Sequence, residues 1–200
     1  MSGVIDVATA IELLSKGGVV ALPTDTVYGV AASLRDPEAI AKLFALKRRP
    51  SSAPLPILVD SIKQVTRLGV VWPEEARMLA SAFWPGALTI VVHVPHELAL
   101  RVSSPTDSAG FRIPDDVVVR QIIDTVGPLA VSSANEHGGT PCTTAGQVLE
   151  VLGDRSGFEG VVDDGERRSE PSTVVDLSKG GWRLIREGSV GKGVLKSLLG

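Results

Sequence analysis

Apolar residues along the chain fall into short runs divided by polar turns, and their spacing alternates between helical and extended periods. Val7, Ala10, Ile11 and Leu14 recur at helical spacing after Asp6, a side chain suited to cap a helix, and Gly17-Gly18 stop it. Val19 to Leu22 is a continuous apolar run of strand length, closed by Pro23. Asp36-Pro37 reads as an N-cap followed by proline at the first helical position. The helix it opens buries Ile40, Leu43 and Phe44 and ends before Pro50. Leu55 to Val59 is a further strand, which Pro56 assigns to a sheet edge or a bulge because proline has no N–H for a ladder. Pro73 to Phe83 is a helix, Trp84-Pro85-Gly86 a turn, Leu88 to Val94 a strand and Gly110 to Ile113 a short strand. Asp116 to Thr125 is a helix with Gly127 past its end, and Leu129 to Ser132 is a buried strand. Thr144 with Gln147 forms a capping box for a helix to Leu152. Val161-Val162, Thr173 to Leu177 and Trp182 to Arg186 are late strands, and Gly191 to Leu199 is a closing helix. Strands alternating with helices predict an α/β sheet, partly parallel, and the late strands without helices make it mixed.

Composition narrows this picture. The 200 residues are 44% hydrophobic, enough for one domain with a full core. No linker-like segment divides them, so residues 1–200 are read as a single domain, with 160–171 as a long acidic surface loop. No run reaches the length of a membrane-spanning helix, and the start of the chain has no basic signal-peptide region. The single cysteine, Cys142, rules out an intrachain disulfide and suits a reducing cytoplasm. The net charge of −3 and only eight aromatic residues argue against a nucleic-acid electrode or a base-stacking platform. The charge is uneven, however. Lys42, Lys47, Arg48 and Arg49 form a basic stretch without an acid, a number of cations that suits a triphosphate, whereas 150–170 holds seven acids against three arginines.

Several apparent motifs dissolve on inspection. The tail Gly188-Ser189-Val190-Gly191-Lys192-Gly193 lacks the upstream glycine and the downstream Ser or Thr of a phosphate-binding loop, and reads as a capped helix. His93 and His96 are interrupted by Pro95 and have no third ligand nearby, Cys142 has no histidine signature around it, and no Gly-x-Ser-x-Gly elbow is present.

Polar groups instead gather at five strand ends, where open α/β sheets bind ligands. The first is Pro23-Thr24-Asp25-Thr26-Val27-Tyr28-Gly29, dense in hydroxyls. The second is Lys47-Arg48-Arg49-Pro50 at a helix end, where one or two cations serve the helix dipole and a third suggests an anion. The third is Ser108 to Arg112, with Arg112 flanked by Phe111 and Ile113 and needing a partner, either an internal carboxylate or a ligand's. The fourth is Ser132-Ser133-Ala134-Asn135, two hydroxyls and an amide in a turn. The fifth is Pro171-Ser172-Thr173 with Arg186. Together they describe an anion-binding groove that works by positioning and charge neutralisation, with no acid–base dyad.

These segments occur in an order that resembles the YrdC-like domain of threonylcarbamoyladenylate synthases, in its short single-domain form. The resemblance runs from about Ile5 to Gly188. Its blocks are 23–29, Lys-Arg-Arg-Pro at 47–50, Phe-Trp-Pro-Gly-Ala-Leu-Thr at 83–89, Phe-Arg-Ile-Pro at 111–114, Ser-Ser-Ala-Asn at 132–135, Ser-Thr-Val-Val-Asp at 172–176 and Ile-Arg-Glu-Gly at 185–188. It implies a twisted mixed sheet flanked by helices around a concave basic groove. The implied enzyme is a cytoplasmic nucleotidyltransferase that joins L-threonine, bicarbonate and ATP, accompanied by Mg²⁺, into threonylcarbamoyl-AMP and pyrophosphate. A tRNA threonylcarbamoyl-transferase complex, or tRNA itself, is the implied downstream partner. By the same resemblance Lys47 and Arg49 are catalytic phosphate contacts. Ser108, Ser133, Asn135, Pro141 and Arg186 join them around ATP, and Thr26, Tyr28, Arg112, Ser132 and Ser172 surround threonine. The chain departs from the common pattern at Ala53 (often Asn), Pro56 (often Ile), Leu58 (sometimes His) and His137-Gly138 (often Ser-Gly), and Ala53 forgoes one hydrogen bond to ATP. Two alternatives stand beside the synthase: a relative that binds nucleotide or RNA without making the adenylate, and an RNA-binding module built on the 42–49 cations.

Overall fold

The structure, a computed structural model, describes residues 2–48, 53–135, 139–167 and 170–200. Ten strands form one mixed sheet. They are β1 (Gly3–Ile5), β2 (Val20–Pro23), β3 (Tyr28–Ser33), β4 (Ile57–Leu58), β5 (Leu88–His93), β6 (Ser108–Arg112), β7 (Leu129–Ser133), β8 (Gly160–Val162), β9 (Thr173–Asp176) and β10 (Arg183–Arg186), in spatial order β1-β8-β2-β3-β7-β4-β6-β5-β9-β10. Four pairings are parallel (β1·β8, β2·β8, β4·β6, β5·β9) and the rest antiparallel. The helices are α1 (Val7–Ser15), α2 (Pro37–Lys47), α3 (Ile62–Arg67), α4 (Glu74–Phe83), α5 (His96–Arg101), α6 (Val117–Val126), α7 (Ala145–Leu152) and α8 (Lys192–Leu199).

The caps read from sequence are present. Thr9 N donates to Asp6 Oδ1, Glu38 and Ala39 N to Asp36 Oδ1, Val119 N to Asp116 Oδ1, and Gln147 N to Thr144 Oγ1. The Gln147 amide oxygen closes back onto Thr143 N, one residue earlier than a capping box places it.

The sheet separates two apolar layers. One packs Tyr28, Val30, Ile57, Leu88, Ile90 and Phe111 against α2, α4 and α7. The other packs Leu22, Ala31, Leu58, Leu129 and Val131 against α1 and α6, and so covers only the β8-β2-β3-β7 side.

Four elements lie outside the sequence reading: β1, β3, α3 and α5. β3 is buried along its whole length, so its side chains show no alternation of polar and apolar. The helices α3 and α5 have six residues each, too few to display a period. Of the two placements expected for the Pro56 strand, the sheet edge is overturned. β4 is an interior strand between β7 and β6, not an edge. Pro56 stands just before its two paired residues, and the Pro56 carbonyl still accepts from Val131 N at 3.0 Å, so the missing N–H is confined to the mouth of the ladder. The 160–171 segment also differs from a free surface loop. It starts as β8 inside the sheet, and its continuation is pinned by the Tyr28 hydroxyl, which donates to Gly165 O at 2.8 Å.

Candidate active site

A cavity of about 370 Å³ opens on the face that α1 and α6 cover, at the point where that cover stops. Both halves of the sheet supply its lining. Thr24, Thr26, Gly29 and residues 131–133 come from one side, Thr89, Arg112, Ser172 and Arg186 from the other, and Pro56 and Leu58 lie between. Gly29 is required on the floor: a Cβ there would sit 2.7 Å from Val131 Cγ1.

The turn after β2 shapes the first wall. Thr24 Oγ1 donates to Val27 O at 2.6 Å and accepts from Thr26 N and Val27 N, which folds the chain back into β3. With its proton committed there, Thr24 Oγ1 serves as acceptor for Thr26 Oγ1 at 3.0 Å. Thr26 Oγ1 in turn accepts from Arg112 Nη1 at 3.0 Å. Arg112 is held at two further points, Nε on Gly86 O at 2.9 Å and Nη2 on Asp25 Oδ1 at 2.5 Å. The internal carboxylate foreseen as one possible partner is therefore Asp25. A guanidinium carries five N–H groups. Among the described residues, the two that remain on Arg112 lie one on each terminal nitrogen.

Opposite, Arg186 donates through Nε to Ser172 O at 3.0 Å and through Nη2 to Ser172 Oγ at 3.1 Å. Ser172 Oγ also lies 3.0 Å from Thr89 Oγ1. No carboxylate pairs with Arg186 among the described residues. Burial first, and then the charge of Arg112, hold its guanidinium below the ordinary arginine range. Two cations that feel one another across a cavity without an acid in its lining make a site for an anion. Lys47 closes the rim from the end of α2, with Nζ 2.6 Å from Ser133 O. The Asn135 amide donates to Gly139 O at 2.6 Å, and Asn135, Gly139 and Pro141 all line the cavity.

Of the site residues read from sequence, Thr26, Lys47, Arg112, Ser132, Ser133, Asn135, Pro141, Ser172 and Arg186 line this one cavity. Arg49 lies outside the described residues. Ser108 and Tyr28 do not line the cavity. Ser108 shares the Arg112 face of β6 but stands four residues away, where its hydroxyl meets Thr106 Oγ1. Tyr28 precedes Gly29 on β3 and therefore points through the opposite face into the core. The basic stretch disperses as well: Lys42 reaches back to Gly17 O at 2.9 Å, and Arg48 is the left-handed C-cap of α2, so Lys47 alone of these described cations reaches the cavity. Sequence reasoning missed Thr89 and the bracing role of Asp25. Thr89 carries a signal in retrospect, as a polar residue on the otherwise apolar strand Leu88–Val92. Cys142 is buried with its thiol on Ala134 O, and burial above all raises its pKa, which disfavours the thiolate.

A family model described as "Telomere recombination", for Sua5, YciO and YrdC, matches residues 12–188. The chain belongs to the Sua5/YciO/YrdC family. Within that family, the threonylcarbamoyl-AMP synthase of Vibrio campbellii is 32% identical over 185 residues, covering 89% of this chain and 96% of the relative. The Bacillus subtilis threonylcarbamoyl-AMP synthase is 34% identical over 197 residues, covering 97% of this chain and 56% of the relative. The crystal structure of Pyrococcus abyssi Sua5 complexed with L-threonine superposes with a TM-score of 0.91 at 32% identity, over 100% of this chain and 60% of the other. The chain thus spans nearly the whole of some family members and a little over half of others.

Proposed function

We propose that this protein is an L-threonylcarbamoyl-AMP synthase, a nucleotidyltransferase acting on L-threonine, bicarbonate and ATP in the service of tRNA modification. The observation that carries the reading is the convergence of Arg112, Arg186 and Lys47 with the hydroxyls of Thr26, Thr89 and Ser172 on one cavity whose lining holds no carboxylate. Relatives named for this activity support it, and so does a family member crystallised with L-threonine. They do not favour the alternative of a nucleotide or RNA binder without synthase activity.

The cavity suits a reaction that needs no general base. Bicarbonate yields carbon dioxide and hydroxide; the neutral threonine amine adds to the carbon dioxide, and the proton it loses joins that hydroxide as water, giving a carbamate. The carbamate oxygen forms a bond to the α-phosphorus while the bond from that phosphorus to the bridging oxygen breaks. Pyrophosphate leaves with the electron pair. The protein's part is to align the two anions and spread their charge. Arg112 offers its two remaining N–H groups to the threonine carboxylate, with Thr26, Ser132 and Ser172 on the amino-acid side. Arg186, Lys47, Ser133, Asn135 and Pro141 take the nucleotide. Arg49 joins the phosphate contacts by family resemblance alone. Mg²⁺ enters as part of the metal–nucleotide substrate. The hydroxyl and amide donors here suit a hard cation held chiefly by phosphate oxygens, and no cluster of three acids, histidines or cysteines occurs among the described residues.

We read residues 1–200 as one domain working in the cytoplasm. No helix among the described residues is long and apolar enough to cross a membrane. The test is pyrophosphate release from the purified chain given ATP, Mg²⁺, bicarbonate and L-threonine. Release that requires both threonine and bicarbonate is expected. Release indifferent to threonine, or none from a folded protein that binds ATP, overturns the proposal.

A further inference from the structure

The two guanidiniums of the cavity are neutralised differently. Arg112 is buried, with its side chain 7% exposed, and lies against the carboxylate of Asp25, itself 15% exposed, at 2.5 Å. Among the described residues, Arg186 has only the neutral Ser172. Asp25 is not among the residues that line the cavity, yet its carboxylate touches Arg112, which is.

We infer that Asp25 acts as a charge filter, a positioning residue that reserves Arg112 for an amino acid and steers polyphosphate to the Arg186 side. The inference rests on the synthase reading above. A polyphosphate carries several negative charges and gains most from a cation whose charge is uncompensated. At the Arg112–Asp25 pair the attraction of one group is opposed by the repulsion of the other. A zwitterionic amino acid has no net charge and loses little by that opposition, and its carboxylate still finds the paired N–H donors of a fixed guanidinium. Burial of the pair sharpens the effect, because little solvent screens it. A cavity that must seat two anionic groups in a fixed order thereby gains a reason for each to choose its own end.

The experiment measures L-threonine binding by equilibrium dialysis without ATP, with tripolyphosphate as the competing probe. In the wild-type protein, tripolyphosphate leaves threonine binding unchanged, and in a separate dialysis with ATP in place of threonine it displaces the nucleotide. Asp25→Asn keeps an oxygen for Arg112 Nη2 and removes the charge. Tripolyphosphate then competes with threonine and raises its apparent Kd by about tenfold or more, the scale of one unscreened charge a few ångströms away. Thr26→Val loosens Arg112 without altering charge. It weakens threonine binding yet leaves it indifferent to tripolyphosphate, which separates charge filtering from simple loss of rigidity. Threonine bound by Asp25→Asn without competition overturns the inference. So does competition already present in a wild-type protein that makes the adenylate, a result that leaves the synthase reading intact and that decides the matter even where the variant fails to fold. A wild-type protein that binds no threonine overturns both.

Discussion

Gly29 and Val131 are diagonal neighbours on the β3·β7 pair, where Gly29 pairs with Ser133 and Val131 with Ala31, and a methyl group added at Gly29 lies 2.7 Å from Val131 Cγ1 at the cavity. Carbon atoms in contact settle at about 3.5–4.0 Å, so Gly29→Ala must open the floor by roughly 1 Å or rotate Val131 from its place. Overpacking of this kind costs about 1–3 kcal/mol. Val131→Ala removes two methyl groups from a side chain packed against α6 and costs about 2 kcal/mol. In the double variant the new methyl takes up space the valine has vacated. The pair should therefore cost about 1–2 kcal/mol less than the sum of the single changes. Urea unfolding at 25 °C followed by circular dichroism gives each value from the shift in midpoint at constant slope. Gly29→Ala alone should also weaken L-threonine binding, and Val131→Ala added to it should recover part of the loss. Costs that add to within about 0.5 kcal/mol would refute the contact as the reason for glycine at this position.

Three further outcomes are expected. Arg112→Ala should raise the KM for threonine far more than that for ATP, and Arg186→Ala the reverse; steady-state pyrophosphate release reads both, and an identical split in the two variants would undo the assignment of ends. Tyr28→Phe leaves the Gly165 carbonyl without its donor and should cost about 1 kcal/mol in urea unfolding while leaving both KM values unchanged; a changed KM would return Tyr28 to the pocket. The Asp176 carboxyl is opposed by burial, but hydrogen bonds from Ser178 and the Arg183 guanidinium outweigh that and hold it below its ordinary 3.8. A lowered carboxylate pKa contributes stability that is fully present above 3.8 and lost as pH falls through the folded value. Asp176→Asn should therefore be destabilising at pH 7 and progressively less so toward pH 3, as unfolding curves at several pH values will show.

Most of the fold was legible because its elements announce themselves locally. Asp6, Asp36, Asp116 and Thr144 each cap the helix that follows, and the apolar runs from Val20, Leu88 and Leu129 each became a strand. What failed to show depends on partners distant in sequence. β3 carries no alternation because both of its faces are covered, and β4 is interior because β7 and β6 flank a strand too short to signal that itself. The same division holds for the site. Hydroxyls and arginines at strand ends were visible one segment at a time, and seven of those residues, Thr24, Thr26, Arg112, Ser132, Ser133, Ser172 and Arg186, meet at one cavity. Side-chain direction was not. Tyr28 belongs to the right segment but alternation turns it through the sheet, and Lys42 and Arg48 belong to the right charge run but the helix directs them elsewhere. Asp25 was quoted among the hydroxyls, and only the Arg112 contact from 87 residues away gives it a task.

The two-residue strand β4 stands between two larger parts of the sheet. On one side β1, β8, β2, β3 and β7 are sewn together; on the other β6, β5, β9 and β10 are; Ile57 and Leu58, with the flanking bonds of Pro56 O and Val59 N, carry the ladder between them. Arg112 belongs to one half and is fastened to Asp25 and Thr26 of the other, so the guanidinium is a second seam laid across the first. A molecule that grips Ser132 on one bank and Ser172 on the other adds a third. Occupancy of the cavity is thereby written into the cohesion of the entire sheet. Slowed amide exchange at Ile57 and Leu58 when the cavity is occupied is where that cohesion becomes measurable.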